Sequence, residues 1–152
     1  MKTDASNYSC TCRTLRRAAR AVTAVYDESF APSGLLTTQY AVLSAVERLE
    51  PVTITELAEE LALDRTTVTR NLEGLLGDGL LVSGSGRDGR TKEVRLTATG
   101  RERYALALPL WEAAQESVAS RIGSDRLELV LAELRHLTTV LEPGAFHSKG
   151  GN

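Results

Sequence analysis

A chain of 152 residues, 42% hydrophobic and 25% charged, holds one domain with a proper core and falls short of two full ones. Its formal charge is −2, so any grip on nucleic acid must come from local patches and not from a global basic field. Of 18 cations only Lys2, Lys92 and Lys149 are lysines; the arginines that remain are the side chains that fork onto phosphates and guanine edges. No apolar run approaches the ~20 residues that span a bilayer, and the polar N-terminus lacks a signal-peptide core. Two cysteines cannot build a disulfide framework, and 5% aromatics are few for a base-stacking single-strand binder. A cytoplasmic, single-domain chain without a membrane partner is expected. His136 and His147 are the sole imidazoles, and no glycine-rich loop opens a helix. No metal-ligand spacing is present either, so no enzyme, metal or cofactor is expected.

Helix signals dominate the chain order. After about Cys10, Leu15, Ala18/Ala19, Val22, Val25/Tyr26 and Phe30 form an apolar stripe of helical period, stopped by Pro32-Ser33-Gly34. Tyr40, Leu43, Val46 and Leu49 share one face of a second helix, predicted from Thr38 to Leu49 and ended before Pro51. Thr53 with Glu56 makes a capping box for a third, carrying Ile54, Leu57, Ala58 and Leu61, before a break at Ala62-Leu63. Asp64 caps a fourth, with Val68, Leu72, Leu75 and Leu76 inward and Gly77-Asp78-Gly79 as its stop. Leu80-Leu81-Val82 and Val94-Arg95-Leu96 read as two strands flanking a polar, glycine-rich hairpin tip. A fifth helix follows from about Thr97 to Ile122, with a kink expected at Pro109, and a sixth from Ser124 to Leu141.

Two short helices separated by a three-residue break, the second acid-capped and followed by a hairpin, form the winged helix-turn-helix layout. A mainly α fold is therefore predicted, with a small β-hairpin wing and long helices on either side. Opposite Val68, Leu72 and Leu75, the fourth helix presents Thr66, Arg70, Glu73 and Gly77, flanked by Thr67 and Thr69. Short hydroxyls let a backbone approach a groove, and Arg70 can fork onto a guanine. An ordinary solvated face more often carries Glu/Lys pairs. Charge is segregated to match: residues 65–103 hold eight cations against five acids, whereas residues 21–64 hold one cation against eight acids. The basic stretch is what local phosphate binding requires.

Thr66-Thr67-Val68-Thr69-Arg70-Asn71-Leu72, the exit Leu75-Leu76-Gly77-Asp78-Gly79-Leu80-Leu81, and the wing Asp88-Gly89-Arg90 followed by Leu96-Thr97-Ala98-Thr99-Gly100 together resemble the MarR family of bacterial transcription regulators. Gly34-Leu35-Leu36-Thr37-Thr38-Gln39-Tyr40 and Ile54-Thr55-Glu56-Leu57-Ala58 fit as well, so the likeness covers roughly residues 10–141. It implies a homodimer on a pseudo-palindromic double-stranded operator. The dimerisation lobe would comprise about residues 8–35 and 101–142, the winged lobe about 36–100, and a flexible tail 143–152. It also implies that Arg90 enters the minor groove with Asp88 as its anchor. The DNA-binding set expected on these grounds is Arg65, Thr66, Thr67, Thr69, Arg70, Arg87, Asp88, Arg90 and Lys92. Independently, the first, fifth and sixth helices carry more apolar surface than one small chain can cover, which a partner copy would bury.

Family members commonly bind small aromatic or phenolic effectors between the lobes. The candidates here are Tyr26, Phe30, Tyr40 and Trp111, with Arg17 as carboxylate partner; core packing is the competing role for each. Cys10 and Cys12 precede Arg13, Arg16, Arg17 and Arg20 at a helix start, where cations and the helix terminus favour thiolate. A redox or metalloid sensor and simple interface packing are both open to them. Two helical residues so spaced would point their sulfurs roughly 200° apart, which disfavours a disulfide within one chain. A repressor released by an aromatic effector or by thiol chemistry is the expected function. A winged-helix protein-interaction module that does not bind DNA is the rival.

Overall fold

The computed structural model describes residues 10–86 and 89–141. Arg87, Asp88, His147 and the expected tail lie outside them. The order is α1 (Thr11–Phe30), a 3-10 turn (Ala31–Ser33), α2 (Thr37–Leu49), β1 (Val52–Thr53), α3 (Ile54–Glu60), α4 (Arg65–Gly77), β2 (Leu81–Ser85), β3 (Lys92–Leu96), α5 (Ala98–Ile122) and α6 (Ser124–Leu141). This is the predicted mainly α winged helix-turn-helix. Several details differ. Both wing strands are five residues long, extending beyond the apolar triplets toward the tip. Leu61 is the C-cap of α3 and not part of it. The hairpin also gains a third strand, in the order β1-β3-β2, with Val52 opposite Val94 and Thr53 opposite Glu93. A two-residue strand has no periodicity of its own, so only the pairing partner reveals it.

The described residues divide into two compact units, with the boundary between Ala114 and Gln115. In the first, the apolar stripes close one core: Phe30, Leu43, Val46, Leu57, Val68, Leu75 and Val94 are each almost wholly buried. Burying such side chains is worth about 1.5–3 kcal/mol apiece, so this core sets the angle between α3, α4 and the wing. α5 runs helical through Pro109. In the second unit α6 has no buried residue, and Leu129, Val130, Leu131, Leu134, Val140 and Leu141 are exposed. Among the described residues no helix is long and apolar enough to cross a membrane.

Local chemistry explains each junction. Thr53 and Glu56 form the expected reciprocal box, N–H to carboxylate at 2.7 Å and N–H to hydroxyl at 3.2 Å. α2 starts one residue early, at Thr37, because its cap comes from elsewhere. Leu36 has no side-chain oxygen to offer, and Asp27 of α1 accepts both the Thr37 N–H (2.8 Å) and its hydroxyl (2.6 Å). Thr97 caps α5 by accepting the Gly100 N–H at 2.9 Å and donates its hydroxyl to the Gly79 carbonyl at 2.7 Å. Gly100 must be glycine: a Cβ there would lie 1.9 Å from the Leu80 carbonyl oxygen. The Leu-Thr-x-x-Gly run is thus a device that presses the start of α5 onto the end of the recognition-helix exit.

Candidate nucleic-acid interface

Asp64 fixes where α4 begins. Its carboxylate accepts the Thr67 N–H at 2.9 Å and the Thr67 hydroxyl at 2.6 Å, and these bonds hold its pKa below the ordinary aspartate range. The cap engages the donor of Thr67, which is half-buried. Thr69, exposed, donates its hydroxyl back to the Arg65 carbonyl at 2.8 Å. With Val68, Leu72 and Leu75 buried, α4 exposes Arg65, Thr66, Thr69, Arg70 and Glu73, which line one open groove.

A second groove of about 340 Å³ adjoins it, lined by Thr53, Ile54 and Thr55 at the start of α3, by Arg65, and by Arg90, Thr91 and Lys92 of the wing. Thr53, expected only as the cap of α3, and Thr55 were not among the expected DNA-binding residues. They come beside the wing because β1, which ends at the α3 cap, pairs with β3. Arg65 lines both grooves. Three other cations of the basic stretch are engaged within the fold. Arg101 bonds Glu47 and Glu50, Arg103 donates to the Ser33 carbonyl at 2.8 Å, and Arg95 lies 3.6 Å from Glu93.

The aromatic candidates separate into two groups. Tyr26, Tyr40 and Trp111 line a cavity of about 370 Å³ with Thr37, Arg48, Tyr104 and neighbouring apolar residues. Tyr40 stacks on Tyr104 (5.6 Å between centroids) and on Trp111 (6.4 Å). Phe30 is fully buried behind Tyr40, 4.7 Å away, and Arg17 is not among the lining residues. Arg48 is the cation in this lining, bonded to Glu60 at the end of α3. Burial, then the neighbouring Tyr104 phenol, pushes the Tyr40 pKa well up, and burial raises that of Tyr26. Both phenols therefore stay protonated at neutral pH.

Cys10 and Cys12 are free, exposed thiols that border one depression with Arg13, Arg16 and Arg20. Cys10 is the N-cap of α1, outside the helix proper. The angular argument for two helical residues therefore does not apply to it.

These features define a winged helix-turn-helix with a basic, hydroxyl-rich recognition face. The MarR family profile matches residues 33–91. The transcriptional regulator MosR of M. tuberculosis, solved in complex with DNA, is 38% identical over 88% of this chain and 99% of that one, with a TM-score of 0.76. CouR, a transcriptional repressor bound to a 23-mer DNA duplex, is 25% identical over 85% of this chain and 92% of its own, TM-score 0.77. The HTH-type regulator YwoH of Bacillus subtilis is 30% identical over 90 residues, 59% of this chain and 66% of that relative's length. The chain belongs to the MarR family of transcriptional regulators.

Proposed function

We propose that this regulator binds double-stranded DNA specifically, as a homodimer on a pseudo-palindromic operator, and represses until an effector releases it. The observation that carries the reading is the pair of adjoining grooves: Arg65, Thr66, Thr69 and Arg70 outward on α4, and Arg65, Arg90 and Lys92 beside the wing. Arg70 and the threonines suit base edges, whereas Lys92 and Arg65 suit the backbone and Arg90 the minor groove. Arg87 and Asp88 join the set through the wing motif, and Thr67 through its place at the start of α4. That the similar regulators MosR and CouR were each solved on DNA adds weight to the same reading.

Dimerisation is supported by α6, whose row of exposed leucines and valines would otherwise face water, and by α1, of which Phe30 alone is buried. In this reading residues 8–35 and 101–142 serve dimerisation and 36–100 the DNA. Effector control is supported by the cavity around Tyr26, Tyr40 and Trp111: two neutral phenols and the Arg48 guanidinium suit an aromatic carboxylate or phenolate. The exposed Cys10/Cys12 pair beside Arg13, Arg16 and Arg20 supports thiol chemistry as a second route.

Footprinting on genomic fragments, followed by fluorescence anisotropy on the protected site, tests the reading. Arg70→Ala relaxes specificity at one base position per half-site at a cost of about 1–3 kcal/mol, and Lys92→Ala weakens all sequences alike and reduces the salt slope by about 1 per subunit. Unchanged affinity in both variants would overturn DNA binding and favour the protein-interaction module.

A further inference from the structure

Glu50 closes α2 with its carboxylate at the meeting point of three elements. One oxygen accepts the Leu96 N–H at 2.7 Å, at the last residue of β3. The other bonds Arg101 in the first turn of α5, and Arg101 also reaches Glu47 at 2.7 Å. Pairing of β1 with β3 stops at Val52↔Val94; continued, that register would set Glu50 opposite Leu96, but the Glu50 backbone closes α2, its N–H given to the Val46 carbonyl at 2.9 Å. The Glu50 carboxylate, not its backbone carbonyl, accepts the Leu96 N–H. The carboxylate is largely covered, its side chain 15% exposed.

We propose that Glu50 is a positioning residue for DNA binding: with Arg101 it fixes the tilt of the wing, and hence the reach of Arg90, without touching DNA. The inference rests on the DNA-binding reading above. β3 is the central strand of the sheet and one leg of the wing. β3 carries the wing from Leu96 back to Lys92, four steps or about 13 Å of extended chain, with Arg90 two residues beyond. A tilt of about 5° at the Leu96 end moves the Lys92 end by roughly 1.2 Å, about twice the ~0.5 Å tolerance of a positioned contact. β2 pairs with β3 along its whole length and would tilt with it. At its base the ribbon is held to the start of α5 by the Thr97 bonds to Gly79 and Leu80 as well; its hydrogen-bonded tie to α2 is the Glu50 carboxylate. Recognition helix α4 is seated by other groups, the Asp64 cap and the buried Val68, Leu72 and Leu75. Glu50 therefore acts on the wing contact and not on the contact made by Arg70.

Double-mutant cycles on the footprinted site separate this from a general loss of structure. Anisotropy at fixed salt is measured for Glu50→Ala, Arg90→Ala, Arg70→Ala and the two doubles containing Glu50→Ala. Glu50→Ala and Arg90→Ala each weaken binding about tenfold, and their double stays near tenfold. With Arg70→Ala the losses multiply. A variant that merely lowers the folded fraction multiplies every other loss alike, so selective non-additivity with Arg90 is diagnostic. Glu50→Gln keeps an acceptor for the Leu96 N–H without the charge for Arg101, and falls between wild type and Glu50→Ala. If Glu50→Ala does not fold, Arg101→Ala carries the same cycle, its guanidinium being half exposed. Multiplying losses with Arg90, or wild-type binding by Glu50→Ala, overturns the positioning role. No loss in either Arg70→Ala or Arg90→Ala overturns DNA binding itself.

Discussion

Replacing Gly100 by alanine places a methyl 1.9 Å from the Leu80 carbonyl oxygen, 2.9 Å from its carbon and 3.0 Å from Leu96 Cδ2. The first two are backbone atoms, so no rotamer change relieves the overlap; the start of α5 must retreat by more than 1 Å. That retreat costs the Thr97 N–H bond to the Leu80 carbonyl (3.1 Å) and the Gly100 N–H bond of the cap (2.9 Å). Each is worth about 1 kcal/mol, against a gain of about 1 kcal/mol from the better helix former. Overpacking adds its own ~1–3 kcal/mol, for a net loss of roughly 2–4 kcal/mol and a Tm lower by roughly 5–15 °C. Urea unfolding followed by far-UV circular dichroism, at one fixed protomer concentration, reads this directly. Gly74→Ala is the control: it meets nothing closer than Gln39 Nε2 at 3.9 Å and stabilises by about 0.5–1 kcal/mol. A Gly100→Ala protein within about 0.5 kcal/mol of wild type, well under the overpacking cost, would refute the close-approach argument.

Asp64 has a depressed pKa in the folded chain, so its cap contributes fully above the ordinary value of 3.8 and is lost as pH falls through the lower folded value. Asp64→Asn, which still caps, flattens that acid limb of the unfolding curve; an unchanged limb would assign the dependence to other carboxylates. Leu129→Glu on exposed α6 shifts the protein toward monomer in analytical ultracentrifugation, while the same change at Val82, exposed on the wing, leaves association untouched. Diamide or peroxide lowers DNA affinity in the wild type and leaves the Cys10→Ser/Cys12→Ser double variant unaffected. Equal responses would return both cysteines to a packing role.

What was legible in the sequence was what is decided within a helical turn. The capping pair Thr53 and Glu56, the Asp64 cap and the inward row Val68, Leu72 and Leu75 all lie where spacing put them. What was hidden depends on pairs far apart in the chain. β1 exists because Val94 lies opposite Val52, and α2 begins at Thr37 because Asp27 reaches it from α1. The cavity shows the same split. Tyr26, Tyr40 and Trp111 follow from apolar stripes, while its cation, Arg48, depends on which helices meet and could not be told from Arg17 by periodicity.

The charge count over residues 65–103 carried a similar blind spot. Sequence alone weighs eight cations equally. In the structure Arg101 and Arg95 pair with acids, and Arg103 is turned onto the Ser33 carbonyl. Among the described residues, the cations that line the two grooves are Arg65 and Arg70 on α4, and Arg90 and Lys92 on the wing. Arg65 belongs to both grooves. In the proposed complex it stands where α4 enters the groove and where the backbone passes toward the wing, so affinity and register are joined at that side chain. Arg70 lies further along α4 and does not line the groove beside the wing, so in that complex base preference would change at Arg70 while the hold on phosphate stays as it was.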